Sequence, residues 1–200
     1  MAPFVILTSL DYHSQQEVEI AIRSFANFYF NVTNKHRNRI HLVIIDTGGQ
    51  QKEFIRLADK YNISNSVRII SRHSKDSLKK ALRHACLLFL PTANSSEELI
   101  SKALSNALPI LSFDVFSIRK FIDNSCGMLF RFNSPEQSVS IFSDMMRMLY
   151  FDPEALKMLR KGALKKYKTI FSWKQKKESE GLPQVVHNPE VVRCELRPVI

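Results

Sequence analysis

Short apolar runs alternate with longer stretches of helical period along most of the chain. Residues 3–8 read as a strand; from Ser14 the spacing of Val18, Ala21, Ile22, Phe25 and Phe28 switches to the three-to-four period of an amphipathic helix. A basic connector at residues 34–39 leads to His41-Leu-Val-Ile-Ile-Asp46, a β-branched run expected of a strand buried on both faces. Gly48-Gly49 then turns the chain into a helix carrying Phe54, Leu57, Ala58 and Tyr61. The same reading gives strands at 67–70, 86–90, 109–113 and 128–130. Helices are expected from Ser74 through His84, from a capping box Ser95-Ser-Glu-Glu98 to about Ala107, and at 117–122. Ser134-Pro135 and Asp152-Pro153 each place a cap before an N1 proline, opening helices to about Tyr150 and about Lys168.

Six strands, each followed by a helix, predict an α/β fold: a Rossmann-like doubly wound parallel sheet. Its domain is expected over residues 1–176. The period dissolves in residues 177–200, where Pro183, Pro189 and Pro198 predict a poorly ordered tail.

Composition supports one globular domain: 200 residues, 44% apolar and 24% charged. Cys86, Cys126 and Cys194 are odd in number and in no C-x-x-C or Cys/His cluster, so neither a disulfide framework nor a zinc site is expected. The N-terminus lacks a basic n-region, and no apolar run approaches the ~20 residues of a membrane span, so a cytosolic chain is expected. The five glycines make no complete dinucleotide fingerprint or P-loop, and no metal-binding motif occurs; neither a cofactor nor a metal is expected.

The net charge of +10 is gathered near the end. Nine Lys/Arg and no acid fall within residues 157–177. Lys157, Lys161 and Lys165 share one helical face, Leu156, Leu159 and Ala163 another. Two readings stand: the solvated face of a terminal helix, or a patch for anionic membrane, nucleic acid or protein.

Ligands of a doubly wound sheet bind at the strands' carboxyl ends, which narrows the search to loops 10–16, 46–50, 71–74, 91–98 and 114–117. Gly48 and Gly49 form either a plain strand-to-helix turn or a phosphate loop. Ser95, Ser96, Glu97 and Glu98 read as an N-cap or as an anion site, and the two carboxylates oppose the latter. His73 stands alone at the end of a strand.

In order, Phe4-Val-Ile-Leu-Thr-Ser-Leu-Asp-Tyr12, Ala21-Ile-Arg-Ser-Phe25, Arg39-Ile-His-Leu-Val-Ile-Ile45, Cys86-Leu-Leu-Phe-Leu-Pro91, Leu108-Pro-Ile-Leu111, Gly127 and Phe171-Ser-Trp173 carry a resemblance. They resemble the C-terminal, donor-binding half of retaining GT-B glycosyltransferases. The closest resemblance is to the dolichol-pathway α-1,3/1,6-mannosyltransferases, and it spans residues 3–176. It implies a nucleotide-sugar partner (GDP-mannose), a dolichol-linked oligosaccharide acceptor, the cytoplasmic face of the endoplasmic reticulum, and an N-terminal acceptor domain or partner subunit beyond this chain.

The family's functional positions differ here. Its Glu-x7-Glu pair falls on Asn94 and Lys102, or on Ser95 for the first acid with a one-residue shift. Its diphosphate-binding Arg and Lys fall on Asp11 and Gln15 (or Gln16), and a Gly-Gly turn falls on Phe116-Ser117. These departures imply a chain that is catalytically inactive by itself; the alternative from the charge pattern is a non-enzymatic binding module working through the basic helix.

Overall fold

The computed structural model describes residues 3–11, 14–92 and 96–179, with side chains through residue 170. Six parallel strands form the sheet: β1 (Phe4–Leu10), β2 (Ile40–Asp46), β3 (Val67–Ser71), β4 (Leu87–Leu90), β5 (Ile110–Phe113) and β6 (Gly127–Phe130). Their order across the sheet is β3-β2-β1-β4-β5-β6. Register places Phe4 beside Ile40 and Ile6 beside both Leu42 and Leu87. The expected α/β doubly wound sheet is present.

Strand alternation divides the core. Ile6, Ile40, Leu42, Ile44, Leu87 and Phe89 face one layer, made by α1 (Gln15–Phe30), α3 (Gln51–Lys60) and α7 (Pro135–Phe151). Phe142 of α7 packs edge-on against Phe89 and Phe113, with ring centroids 4.9 and 5.0 Å apart. Leu7, Val43, Ile45, Leu88, Leu90 and Ile110 face the other layer, made by α4 (Lys75–His84), α5 (Glu97–Ser105) and α6 (Phe116–Arg119). This division is what right-handed crossovers require, because connections moving leftward and rightward from β1 lie on opposite faces.

The basic connector has a defined role. In the short helix α2 (Asn34–Arg37), the Arg37 guanidinium donates to the carbonyls of Tyr29, Phe30 and Val32 at 2.7–3.0 Å. It thereby satisfies backbone acceptors that the end of α1 leaves unpaired. Ser134 caps α7 as expected, its Oγ accepting from the Gln137 amide at 3.2 Å with Pro135 at N1.

Two boundaries differ from expectation. The cap of α5 is Ser96, whose Oγ accepts from the Leu99 amide at 3.4 Å; with leucine at that third position, the reciprocal arm of a capping box is missing. The last helix, α8 (Pro153–Ser179), runs past Lys168, since no proline or glycine follows before Gly181 to end it. Of the tail expected over 177–200, residues 177–179 instead belong to α8; the remainder lies outside the described residues.

Helix α8 starts on the first layer with Leu156 and Leu159 and continues on the second with Ala163, Tyr167 and Ile170. Gly162 makes the passage close: a Cβ there would overlap the Ser125 carbonyl oxygen. One turn on, the Lys166 ammonium lies 2.5 Å from Asp123 Oδ2. That bond, with a second from Ser125, holds the Asp123 carboxyl well below the usual carboxylate range. A depressed folded-state pKa gives stability that is full above the unfolded value of about 4 and fades as pH falls below it. Asp123→Asn is therefore expected to lower stability at pH 7 by under about 1 kcal/mol, the pair being partly solvated. The gap from the parent should shrink toward pH 3. Urea denaturation at pH 7, 5 and 3 checks this, and an unchanged gap at all three would contradict it.

Candidate functional site

With β1 and β4 adjacent, consecutive crossovers leave the sheet in opposite directions between them, and a crevice opens beyond their carboxyl ends. A cavity of about 430 Å³ lies there. Each of the first four strands contributes the residue at or just past its end: Asp11, Thr47, Arg72 and Thr92. Helix α4 adds Lys75, the start of α1 adds Ser14 and Glu17, and α5 adds Ser96, Glu98 and Lys102.

Charge in the cavity is balanced: Asp11, Glu17 and Glu98 against Arg72, Lys75 and Lys102. One opposite pair is internal to α5, where Lys102 Nζ lies 2.5 Å from Glu98 Oε1 across one helical turn. The Lys102 hydrogen bond, then its charge, then that of Arg72 hold the Glu98 carboxyl below its ordinary value.

The glycine turn faces inward on itself. Asp46 Oδ1 accepts from the backbone N–H of Gly48 at 3.1 Å and of Gly49 at 2.9 Å. Gly49 has φ +75°, a left-handed conformation that glycine adopts without a Cβ clash. Thr47 Oγ1 donates to the Leu10 carbonyl at 2.9 Å, fastening the turn to β1. The two N–H groups a phosphate would use are taken by a carboxylate, and neither glycine lines the cavity.

Of the residues singled out from sequence, Asp11, Ser96, Glu98 and Lys102 meet in the cavity. Gln15 opens α1 and Glu97 pairs with Lys120 at 3.5 Å; neither is among the lining residues, nor is His73. Asn94 and Ser95 lie outside the described residues. Lys157, Lys161 and Lys165 are exposed along α8, with Lys157 held 3.2 Å from Glu154. Residue type alone singles out neither Arg72, which lies within the loop 71–74 that the strand-end rule marks, nor Lys75, which directly follows it. Among the described residues no three or more His, Cys, Asp or Glu stand together as a metal site. No described helix is long and apolar enough to cross a membrane.

Residues 3–166 match the family model described as glycosyl transferases group 1. Comparison with curated proteins gave no match. Among solved structures, the chain is similar to the pneumococcal O-GlcNAc transferase GtfA in complex with UDP and GlcNAc. That likeness has TM-score 0.71 and 15% identity, over 88% of this chain and 36% of that one. It is also similar to WaaG, a glycosyltransferase involved in lipopolysaccharide biosynthesis (TM-score 0.69, 18% identity, 88% of this chain and 46% of that one). A third is the C-terminal domain of the group 1 glycosyl transferase LpcC from Francisella tularensis (TM-score 0.62, 14% identity, 85% and 88%). The chain spans less than half the length of the first two. The shared property is the fold, one half of a GT-B architecture.

Asp46 is buried and is the acceptor for two N–H groups. Asp46→Ala is expected to cost about 1–3 kcal/mol, because the turn loses its acceptor. Asp46→Asn should cost less, since its side-chain oxygen can still accept. Chemical denaturation of the three chains checks the order, and equal stability of Asp46→Ala and the parent would contradict it.

Proposed function

The chain belongs to the glycosyl transferases group 1 family, and we propose on that premise that it is a donor-binding half that holds a nucleotide weakly and transfers no sugar by itself. The observation that carries the reading is the balanced charge of the switch-point cavity: three acids face three bases, and Asp11 stands at the end of β1.

A departing nucleoside diphosphate gathers negative charge in the transition state, and catalysis needs fixed cations or N–H donors aimed at it. Removal of one such donor typically costs about 3 kcal/mol of transition-state stabilisation. Here Asp11 occupies a position at which the resemblance implies a cation, and Lys102 one at which it implies a ribose-binding carboxylate. Asp11 adds a charge of the wrong sign, and Lys102 is already held by Glu98.

The finer reading rests on the sequence resemblance over residues 3–176. It makes the donor GDP-mannose, the acceptor a dolichol-linked oligosaccharide, and the setting the cytoplasmic face of the endoplasmic reticulum. Sugar transfer would then need an acceptor-binding half, in a further domain or a partner subunit. A second reading draws on α8: Met158 and Leu164 are exposed beside Lys157, Lys161 and Lys165, the mixture an anionic membrane surface attracts. Flotation with anionic vesicles at low and high salt tests it; no binding at either salt removes it.

The donor reading is tested by calorimetry with GDP, UDP and GDP-mannose. The parent chain is expected to bind with millimolar or weaker dissociation constants, about −4 kcal/mol. Asp11→Arg combined with Lys102→Glu should bind GDP-mannose at least tenfold more tightly. Micromolar binding by the parent would contradict the inactive-site reading. No gain in the double variant would contradict the assigned positions.

A further inference from the structure

The second face of the sheet is incompletely covered at one corner. The crossover from β3 to β4 passes over β2 and β1, and among the described residues the ten-residue helix α4 is the one helix that connection supplies. On the opposite face the same strands are sealed, with Phe4 at 6% exposure and Ile40 and Leu42 at 0%. On the α4 side, Val5 of β1 and its register neighbour His41 of β2 stay only half-buried, although strands of a parallel sheet are normally covered on both faces.

The result is a cavity of about 460 Å³ toward the strands' amino ends, within the range of small-molecule pockets. Val5, Val43, Ile70 and Ala81 make it apolar. It lies away from the crevice at the strands' carboxyl ends and shares with it no lining residue.

Its charged residues are all of one sign. Arg68 and Lys80 line the cavity together with His41 and His84, and no Asp or Glu does. A neighbouring hollow that shares His41, Asn65 and Ser66 also has no acid, and its Arg37 is committed to the end of α1. Arg68 and Lys80 have no ion-pair partner among the described residues. An apolar floor and an unneutralised cationic lining specify a ligand with an apolar body and one anionic end. Arg68 offers a carboxylate its planar fork of N–H donors, and Lys80 adds a point charge.

We propose that this cavity is a second ligand site, independent of the nucleotide crevice, that takes an amphiphilic monocarboxylate: its acyl chain against Val5, Val43, Ile70 and Ala81, its carboxylate on Arg68 and Lys80. Recognition needs no covalent step and no group from the crevice.

Calorimetry with dodecanoate below its micellar concentration, on the full chain, tests the assignment. Dodecanoate should bind at micromolar concentration, while dodecyltrimethylammonium, with the same chain and opposite charge, should bind at least tenfold more weakly. Arg68→Glu with Lys80→Glu, both at exposed positions, should weaken dodecanoate at least tenfold. Ala81→Trp, which fills the cavity from α4, should abolish binding; circular dichroism melts identify variants that remain folded. Saturating GDP should leave the dodecanoate affinity unchanged, so the result stands whether or not the nucleotide reading does. Equal binding of the anionic and cationic amphiphiles, undiminished binding in the charge-reversed variant, or no dodecanoate binding overturns the proposal. So does a dimer that the charge reversal dissociates in the absence of dodecanoate binding, which would assign the cavity to a second copy.

Discussion

Between β3 and β4 the chain leaves an edge of the sheet, passes over two strands, and re-enters on the far side of β1. A right-handed crossover permits that path on one face only. Beyond the strands' carboxyl ends the reversal parts the loops and opens the crevice where Asp11, Arg72 and Lys102 meet. Toward the amino ends the same path stretches one ten-residue helix over three strands and leaves the apolar cavity behind α4. Both cavities are consequences of one topological step.

The fold was legible where burial writes itself into residue type. His41-Leu-Val-Ile-Ile-Asp46 has apolar residues on both faces because it becomes β2, an interior strand of a sheet covered by two layers. Ser134-Pro135 announced α7 because a cap and an N1 proline satisfy local needs that no tertiary contact alters. Local signals failed where a choice between neighbours is made by the rest of the molecule. Two adjacent serines precede α5, and their types alone do not say that Ser96 is the cap. The sequence pattern ends the last helix near Lys168, but a helix ends only where something stops it, and nothing does before residue 179.

The site was less legible than the fold. The strand-end rule found the right loops, yet Arg72 and Lys75 look like ordinary exposed cations until the crossover sets them opposite α5. Asp46 reads as the last residue of a strand, and its capture of the Gly48 and Gly49 N–H groups depends on how the turn closes. The scarcity of glycine now has a structural counterpart. Gly127 and Gly162 stand where a Cβ would overlap neighbouring backbone. Gly49 takes a positive φ, while Asn62 and Ala107, just past α3 and α5, adopt left-handed backbone without being glycine. Among the described residues, glycine stands at close approaches and in one turn, and none lines the crevice.

A crevice with balanced charge and no free glycine amides should recognise a nucleoside without gripping its diphosphate. The most direct measurement compares the dissociation constants of guanosine and GDP for the same chain under the same buffer. The expected result is a difference of less than tenfold, about 1.4 kcal/mol. A diphosphate clamp would make GDP tighter by a hundredfold or more, and that result would contradict the central claim.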